Sequence, residues 1–228
     1  MFIIMDLDQI VQQYLSLYES GNRVIERPAC CSRCSQSKKK LHRHGLYKRN
    51  FITLAMHYLI PIFRFLCPDC AKTTNVIQDF VEKYHQVALD VKEQVMTNHE
   101  KGDSYETIEK TTDKIPSGPY SNTTIRRWII RWKERLEKVQ PVFWEWIFMR
   151  TPHVRLPLGE ANTRIPWDNY LIIWQQVRML PAWKEISFLH GILRFSLSLT
   201  VSLDNENPTK DVRRNAIEFS RKWEQGYP

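Results

Sequence analysis

The sequence predicts an α+β fold that is mostly α, and three observations predict it. Two Cys-x-x-Cys pairs, Cys31-Ser32-Arg33-Cys34 and Cys67-Pro68-Asp69-Cys70, bracket short runs rich in β-branched and aromatic residues. On both sides of that segment apolar residues recur with the 3.6-residue period of amphipathic helices. The 228 residues are 43% hydrophobic, with eight Trp and ten Phe, enough material for packed cores. No apolar run approaches the roughly 20 residues that span a bilayer.

The elements follow in order. Leu7, Ile10, Val11, Tyr14, Leu15 and Tyr18 lie on one face of a helix over 6–18, stopped at Gly21-Asn22. Leu46–Thr53 and His57–Leu66 read as strands. A cysteine pair lies to either side of these strands, which describes a small β zinc ribbon over 23–80, since four thiolates can close a tetrahedral site. From about 81 the pattern becomes helical. Val87, Val91, Val95 and Met96 mark a helix ending near Asn98; Ser104 caps a short helix reaching about Thr111; Pro116-Ser117-Gly118-Pro119 forces a loop. Ser121 then caps a long helix whose stripe is Ile125, Trp128, Ile129, Trp132, Leu136 and Val139. Pro141 is expected to end it. Further helices are expected near 141–149, 167–179, 185–199 and 208–224, with 150–166 as a loop. The domains are therefore 1–22, an N-terminal helix; 23–80, the ribbon; 81–140, a helix-turn-helix-like segment; and 141–228, an aromatic-rich helical tail.

Cys31, Cys34, Cys67 and Cys70 are the candidate ligands of one structural Zn²⁺ per chain. Cys30 adjoins Cys31 and could replace it, at a spacing one residue longer. His42 and His44 are rival nitrogen ligands, left without a vacancy by two complete pairs. Four protein sulfurs leave no open position for a reactive water, so the metal would hold the fold rather than do chemistry. Met1–Met5 is too short and too acidic in its flank for a signal peptide, and the spacing of the cysteines favours metal over disulfides; both point to the cytoplasm.

Net charge is +8 and the isoelectric point about 9.3, with mean hydropathy −0.45, which favours a polyanionic partner and no membrane. The charge is concentrated. Residues 30–70 carry eight Lys or Arg against the single acid Asp69, and 101–140 carry nine against six acids. Lys38, Lys39, Lys40, Arg43, Lys48 and Arg49 suit phosphate contacts. Helix, turn, short helix, loop and long basic helix is a helix-turn-helix order, in which the first turns of the last helix enter the major groove. Asn122, Thr123, Arg126, Arg127 and Arg131 stand there and can contact base edges or backbone. Double-stranded DNA is the expected partner.

The stretch His42-Arg43-His44-Gly45-Leu46-Tyr47-Lys48-Arg49, followed by Ile62-Phe63-Arg64-Phe65-Leu66-Cys67-Pro68-Asp69-Cys70 and Thr73-Thr74, resembles the zinc ribbon of bacterial insertion-sequence transposases. Thr124-Ile125-Arg126-Arg127-Trp128-Ile129-Ile130-Arg131-Trp132 is similar to their helix-turn-helix. The resemblance covers roughly 23–138 and implies DNA binding, with transposon ends as candidates and other transposition or transcription proteins as partners. It also implies what is missing. Such transposases cut DNA with three carboxylates on a sheet, holding two metal ions. The 88 residues after Gln140 read as helices, so Asp168, Asp204, Asp211 and Glu218 are not expected to form that site, and no catalytic constellation is assigned. The alternative reading is a protein-interaction adaptor or transcription regulator using the ribbon and the helical tail.

Overall fold

The structure is a computed structural model that describes residues 7–21, 25–31, 33–34, 40–78, 80–151, 153–154, 167–178 and 187–200. It is an α+β protein with six α-helices and one three-stranded antiparallel sheet among these residues. The chain divides into two compact units. One spans Met5–Ala88, with the sheet, and Ile115–Gly118; the other is built on Leu89–Lys114 and the chain from Pro119 onward.

In the first unit, β1 (His42–Ile52), β2 (His57–Leu66) and β3 (Thr73–Val76) lie in the order β1-β2-β3. β2 is the middle strand and is mostly buried, as its dense aromatic and β-branched sequence requires. β1 and β2 pair from His42↔Leu66 to Ile52↔His57, with a bulge that sets His44-Gly45 against Arg64. Gly45 takes φ +97 there; a Cβ would meet nothing within 4 Å, so backbone conformation rather than space favours glycine.

α1 (Leu7–Glu19) does not stand apart as a separate N-terminal domain. Val11 and Tyr14 join Phe51, Tyr58, Ile60, Ile62, Phe80 and Val81 in one core. Tyr14 donates its hydroxyl to the Pro61 carbonyl at 2.8 Å and accepts from Gln78 at 2.8 Å. Asp8 accepts from Tyr58 at 2.8 Å and from the buried Thr53 at 2.6 Å. The chain leaves this unit alongside β1. The Ile52 N–H donates to the Gln86 carbonyl at 2.9 Å, and the Ala88 N–H donates to the Ile52 carbonyl at 2.8 Å. Val87, read from the sequence as helical, is thus a parallel bridge partner of Ile52.

The second unit contains α2 (Leu89–Glu100), α3 (Tyr105–Thr111), a 3-10 turn at Thr112–Lys114, α4 (Asn122–Arg150), α5 (Trp167–Val177) and α6 (Phe188–Thr200). Ser104 caps α3, accepting from the Thr107 N–H at 3.2 Å. Ser121 caps α4, accepting from the Thr124 N–H at 3.4 Å. α4 runs straight past the expected stop, so the boundary at 140/141 falls inside a helix. Pro141 lacks an N–H of its own, but it lies on an exposed face where the ring meets water. What carries the helix onward is packing: Phe143, Trp144, Trp146 and Ile147 are buried. Phe143 meets Trp174 and Phe195 at ring distances of 5.8 and 5.3 Å, and Trp144 stacks on Tyr170 at 5.7 Å and on Phe188 at 5.8 Å.

Polar ties fix the other helices. Glu93 on α2 accepts the Leu189 N–H at 2.8 Å, a carboxylate at the N-terminal end of α6. Withdrawal from water pushes its pKa up to about 7, against the pull of that same N–H. Trp167 donates to Thr97 at 2.9 Å. Gly191 lets α6 approach α5: a Cβ there would lie 2.3 Å from Trp174 Cη2 and 2.7 Å from Cζ2. Gly191→Ala gains about 1 kcal/mol of helix propensity. It forces a methyl into a buried ring, at a cost of about 1–3 kcal/mol or more. The clash wins, and thermal unfolding should show a lower Tm. Trp174→Leu added to it should restore part of the loss, and an unchanged Tm in the single variant would show that the ring moves aside freely. The expected helix at 208–224 and most of the expected 150–166 loop lie outside the described residues.

Candidate metal centre and basic surface

The β2–β3 turn carries the second cysteine pair. Cys67 follows the last residue of β2; its N–H donates to the Lys72 carbonyl at 2.9 Å, and the Ala71 N–H donates to the Cys67 carbonyl at 3.0 Å. Ala71 is left-handed, at φ +54, which closes the turn before β3 begins at Thr73. The first pair comes from the coil ahead of β1. Cys31 and Cys67 are buried with Leu41, Phe63 and Phe65; Cys34 and Cys70 lie at the half-exposed edge of the same cluster.

The four sulfurs lie within 4.8 Å of one another and can hold a metal ion. Cys31 Sγ is 3.8 Å from Cys70 Sγ, and Cys34 Sγ is 3.7 Å from Cys67 Sγ; all are free thiols. The two close sulfur contacts thus run between the two Cys-x-x-Cys pairs. Backbone N–H groups aim at the sulfurs: that of Arg33 donates to Cys31 at 3.4 Å. The Cys34 and Arg33 N–H groups pull the Cys31 thiol down to about 6. For Cys70 the Lys72 N–H pulls down, but burial and the neighbouring Cys67 sulfur outweigh it and the thiol is raised. Cys30 is exposed and stands outside the cluster, so Cys31 is the member. His42 and His44 are exposed on β1 and take no part. The Thr74 hydroxyl lies 4.0 Å from Cys31 Sγ, on a strand that the sequence reading did not expect.

The basic residues sort by what they touch. Lys40 and Lys48 are exposed, and Arg43 is exposed with its guanidinium 4.7 Å over the Phe63 ring. Lys38 and Lys39 lie outside the described residues. Arg49 departs from expectation: it is half-buried, and its guanidinium donates to the His85 carbonyl, so its charge fastens a loop. On α4, Ile125, Trp128, Ile129, Trp132 and Leu136 are buried, as expected. Thr123, Arg126, Arg127 and Arg131 are exposed on the other faces. Asn122 also departs from expectation. It is half-buried, with Oδ1 shut off from solvent and without a hydrogen-bond partner, so it is poorly placed to read a base.

The α3–α4 connection is longer than the 3–4-residue turn of an ordinary helix-turn-helix. The buried Thr112 shortens it in effect, because its hydroxyl accepts the Tyr120 N–H at 2.9 Å and draws the two ends together. Of the carboxylates weighed for catalysis, Asp204, Asp211 and Glu218 lie outside the described residues, as does the side chain of Asp168. No helix among the described residues is long and apolar enough to cross a membrane.

Residues 30–128 match a protein family described as Domain of unknown function (DUF6431). That stretch, under half of the chain, holds all four clustered cysteines, the sheet, α2, α3 and the first turns of α4. No curated protein and no solved structure matches.

Proposed function

We propose that the protein is a zinc-dependent, transposase-related DNA-binding protein that recognises double-stranded DNA without cutting it. The observation that carries the reading is the first two turns of α4. A serine-capped helix buries Ile125, Trp128 and Ile129 and turns Thr123, Arg126 and Arg127 to solvent. Arginine at such positions suits bidentate contact with guanine in the major groove. Zinc suits the sulfur cluster: four sulfurs each 2.3 Å from the ion in a tetrahedron stand about 3.8 Å apart. The two close pairs, at 3.8 and 3.7 Å, match that spacing. The ion would supply folding free energy, and Lys40, Arg43 and Lys48 on or beside β1 would hold phosphate.

Selection from a random DNA library, with and without chelator, tests the reading. Arg126→Ala should relax sequence preference, with each lost base contact costing about 1–3 kcal/mol. Lys48→Ala should weaken all sites alike and lower the salt slope by about one unit. Unchanged affinity in both variants at low salt would overturn it. A second reading, a protein-interaction adaptor, is favoured by Leu54, Met56 and Leu59, apolar and exposed at the β1–β2 hairpin end. In that case the chain pulls down a protein and binds no DNA.

A further inference from the structure

Three non-glycine residues among those described take positive φ. Ala71 and Ser117 are small. The third is Tyr84, at φ +67, a conformation that a bulky side chain adopts only where its surroundings impose it. Its ring is not hidden in return: Tyr84 is 83% exposed, the highest among the exposed large apolar and aromatic residues. The loop that displays it is held. The His85 N–H donates to the Glu82 carbonyl at 3.1 Å, Arg49 clamps the His85 carbonyl, and Gln86 pairs with Ile52. The loop is therefore fastened to β1 at Arg49 and Ile52. One face of the ring carries the Lys83 ammonium, 5.0 Å from its centroid.

We propose that Tyr84 is a one-sided stacking platform for an unpaired nucleobase of bound DNA. The proposal rests on the DNA-binding reading and extends it. A flat ring in water beside the Lys83 ammonium suits a polyanion with exposed π-faces. With Lys83 over one face, the other face is the open one. A base at the end of a duplex or in a single-stranded overhang needs one face; a fully stacked base has none to offer. The sequence reading passed over Tyr84 because it took the chain from about 81 as helical.

The test is fluorescence anisotropy with the full chain, zinc-loaded, at low salt. The probes are a short labelled random-sequence duplex, either blunt or ending in a single-stranded overhang. The wild type should bind the overhang at least about fivefold more tightly than the blunt end. Tyr84→Phe should keep that preference. Tyr84→Gly should lose it, bind blunt duplex like the wild type, and melt no lower, since glycine takes positive φ freely. Tyr84→Asn, which also tolerates that φ, repeats the test with a side chain. A preference that survives in Tyr84→Gly and Tyr84→Asn sinks the proposal. So does a wild type that binds both probes equally, an outcome that leaves the DNA-binding reading standing. A wild type that binds neither probe overturns both.

Discussion

The purified chain should carry one zinc ion, and Cys67→Ser together with Cys70→Ser should release it and unfold the sheet. The expected loss is large, about 10 kcal/mol, because a structural zinc supplies folding free energy directly. The local core shows why. Around the sulfurs it consists of Leu41, Phe63 and Phe65 with Cys31 and Cys67 themselves, so two of its five buried members belong to the sulfur cluster. Without the ion, thiolate charge would be confined in that apolar setting and the knuckles would have nothing to close on. Ligand sulfurs must be deprotonated, so the ion should be held at neutral pH and shed as pH falls. Metal analysis and circular dichroism, with chelator added, read both effects. Cys30→Ser should leave zinc content unchanged. Retention of zinc by the double variant would place the ligands elsewhere.

Trp132→Ala should be the most damaging single change in the helical unit. The side chain is 1% exposed at the middle of the α4 stripe, with the Arg135 guanidinium 4.7 Å over its ring. Truncating a buried tryptophan costs about 3–5 kcal/mol, against a total stability of about 5–15 kcal/mol for a domain. Ile130→Ala, two residues away on an exposed face, should cost under about 0.5 kcal/mol. Trp132→Phe should fall between them. The indole N–H has no hydrogen-bond partner, so removing it relieves a polar group that is buried at a cost. Denaturant titrations of the three variants test the order, and equal losses for Trp132→Ala and Ile130→Ala would refute the burial argument.

How far the residues foretold this fold depended on how local each signal was. Cys-x-x-Cys is a two-residue gap, and the four ligand candidates came together. β2 is a dense aromatic run and was found over its whole length; the stripe of α4 recurred over many turns. β3 was missed because Thr73-Thr74-Asn75-Val76 is short and polar, and is a strand only through pairing with Phe63–Leu66. Val87 fitted both a helical period and a β-bridge, and its neighbour Ile52 decided. Pro141 is a strong local stop that distant rings on α5 and α6 overruled. Arg49 and Asn122 looked like free polar groups because nothing in the sequence shows that His85 is near one or that the other is half-buried.

The unbroken α4 makes its two halves one rigid body. Its 29 residues measure about 43 Å at 1.5 Å per residue, with exposed arginines at the start and a clasp of aromatic rings at the end. Beyond Pro141 the rings of Phe143 and Trp144, packed on α5 and α6, hold its far half in place. The rings packed on α5 and α6 are thereby registered, in distance and in angle along the helix, against the exposed arginines of its first turns.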